Sequence, residues 1–374
     1  MTASLRRVQV VEGREISVAL VFEHETKGQR VLFGTGLAAT HLAVETKRIG
    51  AKRPFVVAGP RHEDVLARAR LTDAVRYGGI VEHVPAEVAA DARAAAHTAD
   101  ADLLIAIGGG SATGLAKAIA LTSALPIIAV PTTFAGSEAT DIWGVTENGR
   151  KRTGNDPRVL PAVVVYDADL FAGLPPSLAV ASGLNAVAHA IDSMWAPRAD
   201  PIDAALAMAG LRALRVGLPG VVAGDTDATE QTLLGSYLAA VAFASAGSGL
   251  HHKICHVLGG AFGLPHAPTH AIVLPHVLAF NAPFAATASA RIAAALGADD
   301  APNGLHRLCT SIDAPTALRE IGLREDDIEP AVALILPEVP PNNPRPVDAA
   351  SLETVLRGAW LGSEPRPTGT EGMS

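Results

Sequence analysis

Cysteine is almost missing from this chain. Its 374 residues hold two, Cys255 and Cys309, and no C-x-x-C pair. Two isolated thiols exclude a disulfide-built scaffold and a paired-cysteine metal or redox motif, so a reducing compartment is the default. Aromatic residues are only 4% of the chain, which leaves the core to alanine, valine and leucine. Positive charge is not in excess: 30 Lys and Arg stand against 38 Asp and Glu, a formal net charge of −8. No basic cluster with interleaved aromatics occurs, which argues against a nucleic-acid partner. No apolar run reaches the ~18 residues of a membrane span. In the opening MTASLRRVQVVEGREISVALVF, charge interrupts before the apolar core of a signal peptide can form. The expectation is a cytoplasmic protein with neither a membrane nor a nucleic-acid partner.

What is present suits a two-domain enzyme. The chain is 49% hydrophobic and 18% charged, enough for a sizeable core. Residues 1–15 read as a loose extension. After them, short β-branched runs alternate with alanine-rich helical stretches. The strands are RPFVVAG (53–59), IVEHV (80–84), DLLIAIGGG (102–110), PIIAVPTT (126–133) and AVVVYD (162–167). Such alternation with fully apolar strands predicts a parallel sheet covered on both faces. Beyond about Leu174 the strands stop, and apolar residues recur at three- and four-residue spacing. The reading is an α/β domain over 1–172, an all-α domain over 173–362, and a disordered tail over 363–374.

Two features carry chemistry. The first is IAIGGGSATGLAKAIA, a buried strand, three glycines, a serine and a helix. Glycine lets the backbone approach a ligand, and the helix N-terminus offers unpaired N–H groups and partial positive charge. This suits a pyrophosphate on Gly108, Gly109, Gly110 and Ser111, although a ligand-free strand–helix turn has the same composition. The spacing matches neither G-x-G-x-x-G nor the nucleotide-triphosphatase loop. The next strand ends in VPTTFAGSEAT, where Thr132, Thr133 and Ser137 stand at the carboxyl end of a parallel strand, the usual place for a ligand. A polar loop of capping residues reads the same way.

The second feature is GLHHKICHVLGGAFGLPHAPTH (249–270), which holds five of the 13 histidines. His252 and His256 are four apart, as are Asn185 and His189 upstream, so each pair shares a helix face. His266 follows a glycine-rich break. Three histidines converging with an amide could bind zinc or iron, donate protons, or merely pack. His270 has no evident task.

The strings GGGSATGLAKAIA, PTTFAGSEATDIWG, GLNAVAHAID and GLHHKICHVLGGAFGLPHAPTHAIVLPH resemble the iron-type (group III) alcohol dehydrogenases over roughly residues 20–360. Within them they are most similar to the maleylacetate reductase group. The resemblance implies a dehydroquinate synthase-like architecture: an N-terminal dinucleotide-binding domain, a C-terminal helical domain, a cleft between them, and a homodimer. It puts the cofactor pyrophosphate on Gly108–Ser111 and its ribose and nicotinamide near Thr132 and Thr133. In metal-dependent members an aspartate and three histidines bind the ion. Those histidines align with His189, His252 and His266, but Asn185 replaces the aspartate. A neutral amide does not offset dication charge, so no metal is expected.

The implied reaction is NADH- or NADPH-dependent reduction of the enone C=C of maleylacetate, possibly substituted or chlorinated, to 3-oxoadipate in aromatic-compound degradation. Hydride delivered β to the ketone leaves an enolate, which needs stabilisation and a proton. His252 and His256 are the candidate acid and polarising group, with His266, His189, Lys253 and Asn185 in support. His251 and Arg345, in VPPNNPRPVD, are candidates for the small dicarboxylate's charges. No acid sits at the end of the FVVAG strand, and Arg61 there would suit a 2′-phosphate, so neither cofactor is excluded. Three rivals stay open: a metal-dependent alcohol dehydrogenase for a small aldehyde or ketone, a non-redox biosynthetic or binding relative, and a purely structural histidine cluster.

Overall fold

The computed structural model describes residues 8–11, 14–17, 21–147 and 150–365. The strands are β1 (Val8–Val11), β2 (Arg14–Ser17), β3 (Arg30–Phe33), β4 (Pro54–Ala58), β5 (Val75–Tyr77), β6 (Leu103–Gly108), β7 (Ile127–Pro131), β8 (Ile142–Glu147), β9 (Arg150–Asn155) and β10 (Val163–Tyr166). Six of them form one parallel sheet in the order β3-β10-β7-β6-β4-β5. Helices α1 (Ala38–Ile49), α2 (Glu63–Arg68), α3 (Ala86–Thr98) and α4 (Gly110–Ser123) complete this part.

Alternation explains the two covered faces. Leu103, Ile105 and Ile107 of β6 join Leu42 of α1 and Leu66 of α2, while Leu104 and Ala106 join Ala92 of α3 and Leu115 of α4. Successive side chains on a strand point to opposite faces, so a strand buried on both sides must be apolar throughout. Each fully buried aliphatic side chain contributes roughly 1.5–3 kcal/mol.

The sheet also locates the ligand crevice. From β4 the chain runs outward to β5, then returns to β6 and proceeds the other way through β7 and β10. Strand order therefore reverses between β4 and β6. In open α/β sheets ligands bind outside the carboxyl ends of the strands at such a switch point, and the glycine loop after β6 is there.

Three sequence expectations need correction. IVEHV is not a strand: His83 and Val84 have φ of 63° and 49°, left-handed values that break an extended run. The edge strand is instead β5, a few residues earlier. The segment 1–15 is not wholly loose, because β1 pairs antiparallel with β2, and valine-rich VQVV is a natural strand former; the expectation for 1–7 lies outside the described residues. The β8–β9 hairpin and the edge strand β3 had no counterpart in the reading. The expected disordered tail lies outside the described residues from 366 onward.

The helical part begins at Pro176. It comprises α5 (Pro176–Asp192), α6 (Pro201–Val222), α7 (Thr226–Ala246), α8 (Leu250–Phe262), α9 (His266–Asn281), α10 (Ala286–Leu296), α11 (Ala301–Ser311), α12 (Ile328–Ile335) and α13 (Ala349–Leu361). α5 is the central helix, buried along nearly its whole length among α6, α7 and α9. Small residues permit this: at the α6–α7 crossing, a Cβ on Gly210 would stand 2.9 Å from the Gly235 carbonyl oxygen. By length and composition α6 is long and apolar enough to cross a membrane, as is the α7–α8 pair if its 96° bend is ignored. α6 nevertheless carries Asp203, Arg212 and Arg215 and packs against α5, α7 and α10.

Candidate active site

The glycine loop is shaped by close approach. Gly108 has φ 152°, and a Cβ there would meet the Ala112 side chain at 2.9 Å; a Cβ on Gly109 would meet the Thr133 side chain at 2.9 Å. Glycine is thus required by close packing of the loop on α4 and on the strand-end threonine, and the first N–H groups of α4 follow directly after it. Thr132 N–H donates to the Gly108 carbonyl at 3.0 Å, so Thr132 and Thr133 lie against the glycines as expected.

Lys117, on the inner face of α4, fixes the rest of that loop. Its Nζ is fully buried and donates to the carbonyls of Ser137 (2.6 Å), Thr140 (2.8 Å) and Ile142 (2.8 Å) and to Thr140 Oγ1 (3.0 Å). Burial pushes the ammonium down to about 7, against the pull of Glu138 and Asp141. Glu138 is itself buried and accepts from the Tyr166 hydroxyl at 2.7 Å.

The loop touches the histidines directly. A Cβ on Gly110 would lie 3.4 Å from the Ala135 side chain, Asn185 Nδ2 donates to the Ala135 carbonyl at 3.4 Å, and a Cβ on Gly136 would lie 3.2 Å from His189 Nδ1. The glycine loop, through the loop after β7, and the histidine cluster are therefore neighbours.

α5 presents Asn185, His189 and Asp192 at i, i+4 and i+7, one stripe on a helix. The break at Gly247–Gly249 turns α8 by 96° from α7, and this aims His252 at that stripe. Asp192 Oδ2 accepts from the Gly249 N–H (2.9 Å), the His252 N–H (3.4 Å) and His252 Nδ1 (2.7 Å). Any Cβ at Gly249 would collide with the Asp192 carboxylate, at 2.3 Å. Asp192 thus caps α8 from a neighbouring helix. It also fixes the His252 proton on Nδ1 and leaves Nε2 facing away, buried and without a partner.

The rings stack closely. His252 lies 5.1 Å from His189, 4.2 Å from Phe243, 4.9 Å from His270 and 6.1 Å from His256, centroid to centroid. His251 Nε2 is 2.9 Å from His270 Nδ1, with Cys255 Sγ at 3.7 Å. Burial drives His189, His251 and His270 toward the neutral form, His251 down to about 3. It takes His252 down to about 3 as well, although its Nδ1 lies 2.7 Å from Asp192 Oδ2. Burial pushes the Asp192 carboxyl up, and its backbone N–H donors pull it back. His189 Nδ1 and Asn185 Oδ1 are likewise buried and unpartnered.

The structure gathers Asn185, His189, His251, His252, His256 and His266, but not Lys253 or Arg345. Lys253 turns outward to Glu338, at 3.5 Å. The Arg345 guanidinium lies over Phe280 (4.4 Å) and Phe284 (5.1 Å). Phe280 is most of α9 away from His266, roughly 20 Å at about 1.5 Å per residue. Neither cation is positioned to clamp a substrate carboxylate beside these rings.

Four participants, Asp192, His270, Glu82 and His83, were given no role from the sequence. Asp192 was detectable as the acid seven residues after Asn185 in an otherwise apolar helix. His270 is the fully buried partner of His251. Glu82 and His83 arrive from the α/β part: Glu82 Oε1 accepts from the His266 N–H at 3.5 Å, and the His83 ring is 6.5 Å from that of His266. Thr146 holds their loop through the His83 and Val84 carbonyls.

Comparison with known proteins agrees with this geometry. Residues 28–168 match the family model "Iron-containing alcohol dehydrogenase", and residues 179–360 match "Fe-containing alcohol dehydrogenase family, C-terminal". Maleylacetate reductase 1 of Cupriavidus pinatubonensis is 44% identical over 342 residues, spanning 90% of this chain and 96% of that protein. A crystal structure of an iron-containing alcohol dehydrogenase from Corynebacterium glutamicum is 51% identical with a TM-score of 0.90, covering 93% of this chain and 99% of that one. Maleylacetate reductase from Agrobacterium tumefaciens is 38% identical with a TM-score of 0.86, covering 93% and 100%.

Proposed function

This chain belongs to the iron-containing alcohol dehydrogenase family, and on that premise we propose its reaction and the residues that carry it out. It is an NAD(P)H-dependent oxidoreductase that reduces the enone C=C of maleylacetate, or of a substituted maleylacetate, to 3-oxoadipate. The curated relatives described above support the substrate. The observation that carries the site assignment is the couple of Asp192 and His252, with His252 Nε2 buried and unpartnered.

The glycine loop fits a dinucleotide because it runs from the carboxyl end of β6 into the N-terminus of α4, whose first N–H groups suit a pyrophosphate. Bound NAD(P)H supplies the hydride. Gly108, Gly109, Gly110 and Ser111 hold the pyrophosphate, and Thr132, Thr133 and Ser137 steady the ribose and nicotinamide end. Arg61, at the end of β4 beside the switch point, favours a 2′-phosphate.

The residues at the family's metal position fit an ion poorly. An amide, Asn185, stands where a carboxylate is needed. Among the described residues, the groups of three ligand atoms within 4.8 Å of one another are His251–Cys255–His270, inside the histidine cluster, and His24–Asp200–Asp203, and neither includes His189, His252 or His266. No step is therefore assigned to a metal. In the free site burial keeps His252 neutral with its proton on Nδ1, so the ring has to take up a second proton at Nε2 once substrate is bound before passing it to the α carbon, and the Asp192 carboxylate stabilises the imidazolium that this requires. Negative charge developing on the ketone oxygen favours that protonated ring. His256, one turn along α8 and half-buried, passes protons from solvent. Asn185 Nδ2 and His266 orient the substrate, and His189 packs beneath. A homodimer completes the assembly, acting on a small dicarboxylate in the cytoplasm.

The second reading, a metal-dependent alcohol dehydrogenase, is favoured by the Corynebacterium relative's name and identity. One assay separates the two: NADH and NADPH oxidation with freshly prepared maleylacetate, with and without EDTA. Turnover that persists in EDTA is expected. No oxidation with either cofactor overturns the reaction, and turnover lost to EDTA and restored by iron or zinc overturns the role given to Asn185.

A further inference from the structure

We propose that His24, Asp200 and Asp203 form a divalent-cation site that shares no residue with the active site and clamps an N-terminal strap onto the helical bundle. Asp203 lies in the first turn of α6 and is fully buried; its oxygens lack a well-formed hydrogen bond, the Ser245 hydroxyl and His24 being the groups that face them, and burial pushes its carboxyl up to about 6. A buried carboxylate in that state is strongly unfavourable unless positive charge answers it. Asp200, the N-cap of α6, spends Oδ1 on the backbone N–H groups of Ile202 (2.7 Å) and Asp203 (2.9 Å). Its Oδ2 is left for His24.

His24 Nδ1 lies 2.7 Å from Asp200 Oδ2, 3.8 Å from Asp203 Oδ1 and 3.5 Å from Ser245 Oγ. The donor atoms of the three residues lie within 4.8 Å of one another. Ligands sharing one ion at about 2.0–2.2 Å stand roughly 3–4 Å apart. The His24–Asp203 spacing already suits an ion, and the His24–Asp200 spacing has to open by roughly half an ångström.

Charge supports a dication. Two carboxylates carry two negative charges, which a dication held with a neutral imidazole answers in full. The nearby strong cations are committed: Lys27 pairs with Asp141 at 2.6 Å, and Arg198 donates to the Ala244 and Ser245 carbonyls. One imidazole with two carboxylates suits zinc or manganese. The ion would have mechanical work. Beyond His24, Lys27 reaches Asp141 and Gln29 Nε2 donates to the Glu138 and Pro161 carbonyls, both at 2.8 Å. The strap is thus tied to the cofactor loop at one end, and the ion ties its other end to α6.

The test is calorimetric titration of EDTA-stripped full-length protein with zinc ion, with bound zinc counted and the thermal midpoint recorded. The wild type is expected to bind one zinc per chain and melt higher with it. Asp203→Asn and His24→Ala are expected to bind roughly tenfold more weakly or worse while still reducing maleylacetate. His252→Asn is expected to keep the zinc and lose turnover. A wild type that takes up no zinc overturns the proposal and makes the His24 imidazolium the countercharge. Zinc that survives Asp203→Asn and His24→Ala but disappears in His252→Asn also overturns it, and assigns the ion to the active-site histidines.

Discussion

Lys117 and His252 are both buried ionisable side chains, one beneath the loop after β7 and one among the clustered histidines, and they are treated in opposite ways. Lys117 Nζ finds four acceptors within 3.0 Å, so its charge is spent on holding a loop. Around His252 one ring nitrogen is tied to Asp192, while His252 Nε2, His189 Nδ1 and Asn185 Oδ1 find nothing. Buried polar atoms are almost always paired. Complete satisfaction marks Lys117 as architecture, and the cluster of orphans marks the histidines as a place that something else must complete.

Substitutions can break this contrast. The largest expected effect is at His252. His252→Asn keeps a donor where Nδ1 meets Asp192 and removes Nε2; kcat should fall about 10²–10⁴-fold, with the thermal midpoint little changed. An equal loss of stability and activity would make the ring structural. Asp192→Asn should lower kcat by about 10²-fold and displace the pH–rate profile, since its role is to hold the His252 tautomer. An unchanged profile would reduce Asp192 to a helix cap.

Lys117→Met should do the reverse. It leaves the carbonyls of Ser137, Thr140 and Ile142 unsatisfied, a loss of about 2–4 kcal/mol in denaturant unfolding. At saturating cofactor, kcat should fall less than about tenfold, because the substitution touches no proton-transfer group. A collapse of kcat without loss of stability would reverse the assignment.

The smallest effect is on pH dependence. Burial lowers His251 to about 3 and, outside the site, His276 to about 4, from an ordinary 6.5. Between those values the unfolded chain binds protons that the folded chain refuses. Stability from these groups is full above pH 6.5 and drains as pH falls toward 4. Thermal midpoints in a buffer series should be level near neutrality and decline below 6.5. A level trace across that window would mean the rings are not held neutral.

The particular residues show where sequence reading stops. The apolar strands and the glycine turn were legible because a strand buried on both faces and a tight strand–helix turn each demand a composition. IVEHV misled because its β-branched composition hides two left-handed residues, His83 and Val84, which join the loop that carries His83 to His266. Lys253 misled because adjacency to His252 says nothing of direction: on a helix, neighbours diverge by about 100°, and Lys253 faces Glu338. NPRP supplied an arginine, but α9 sets Phe280, under Arg345, far from His266.

By itself the sequence determined the α/β-then-helical order, the glycine turn, and the histidine and Asn185 positions, because periodicity and local backbone demands are written along the chain. Tertiary structure alone decided that Asp192 governs His252, that buried rings stay neutral, and that His24 meets Asp200 and Asp203. Those depend on which side chains share a low-dielectric space, and that is set by packing between helices distant in sequence.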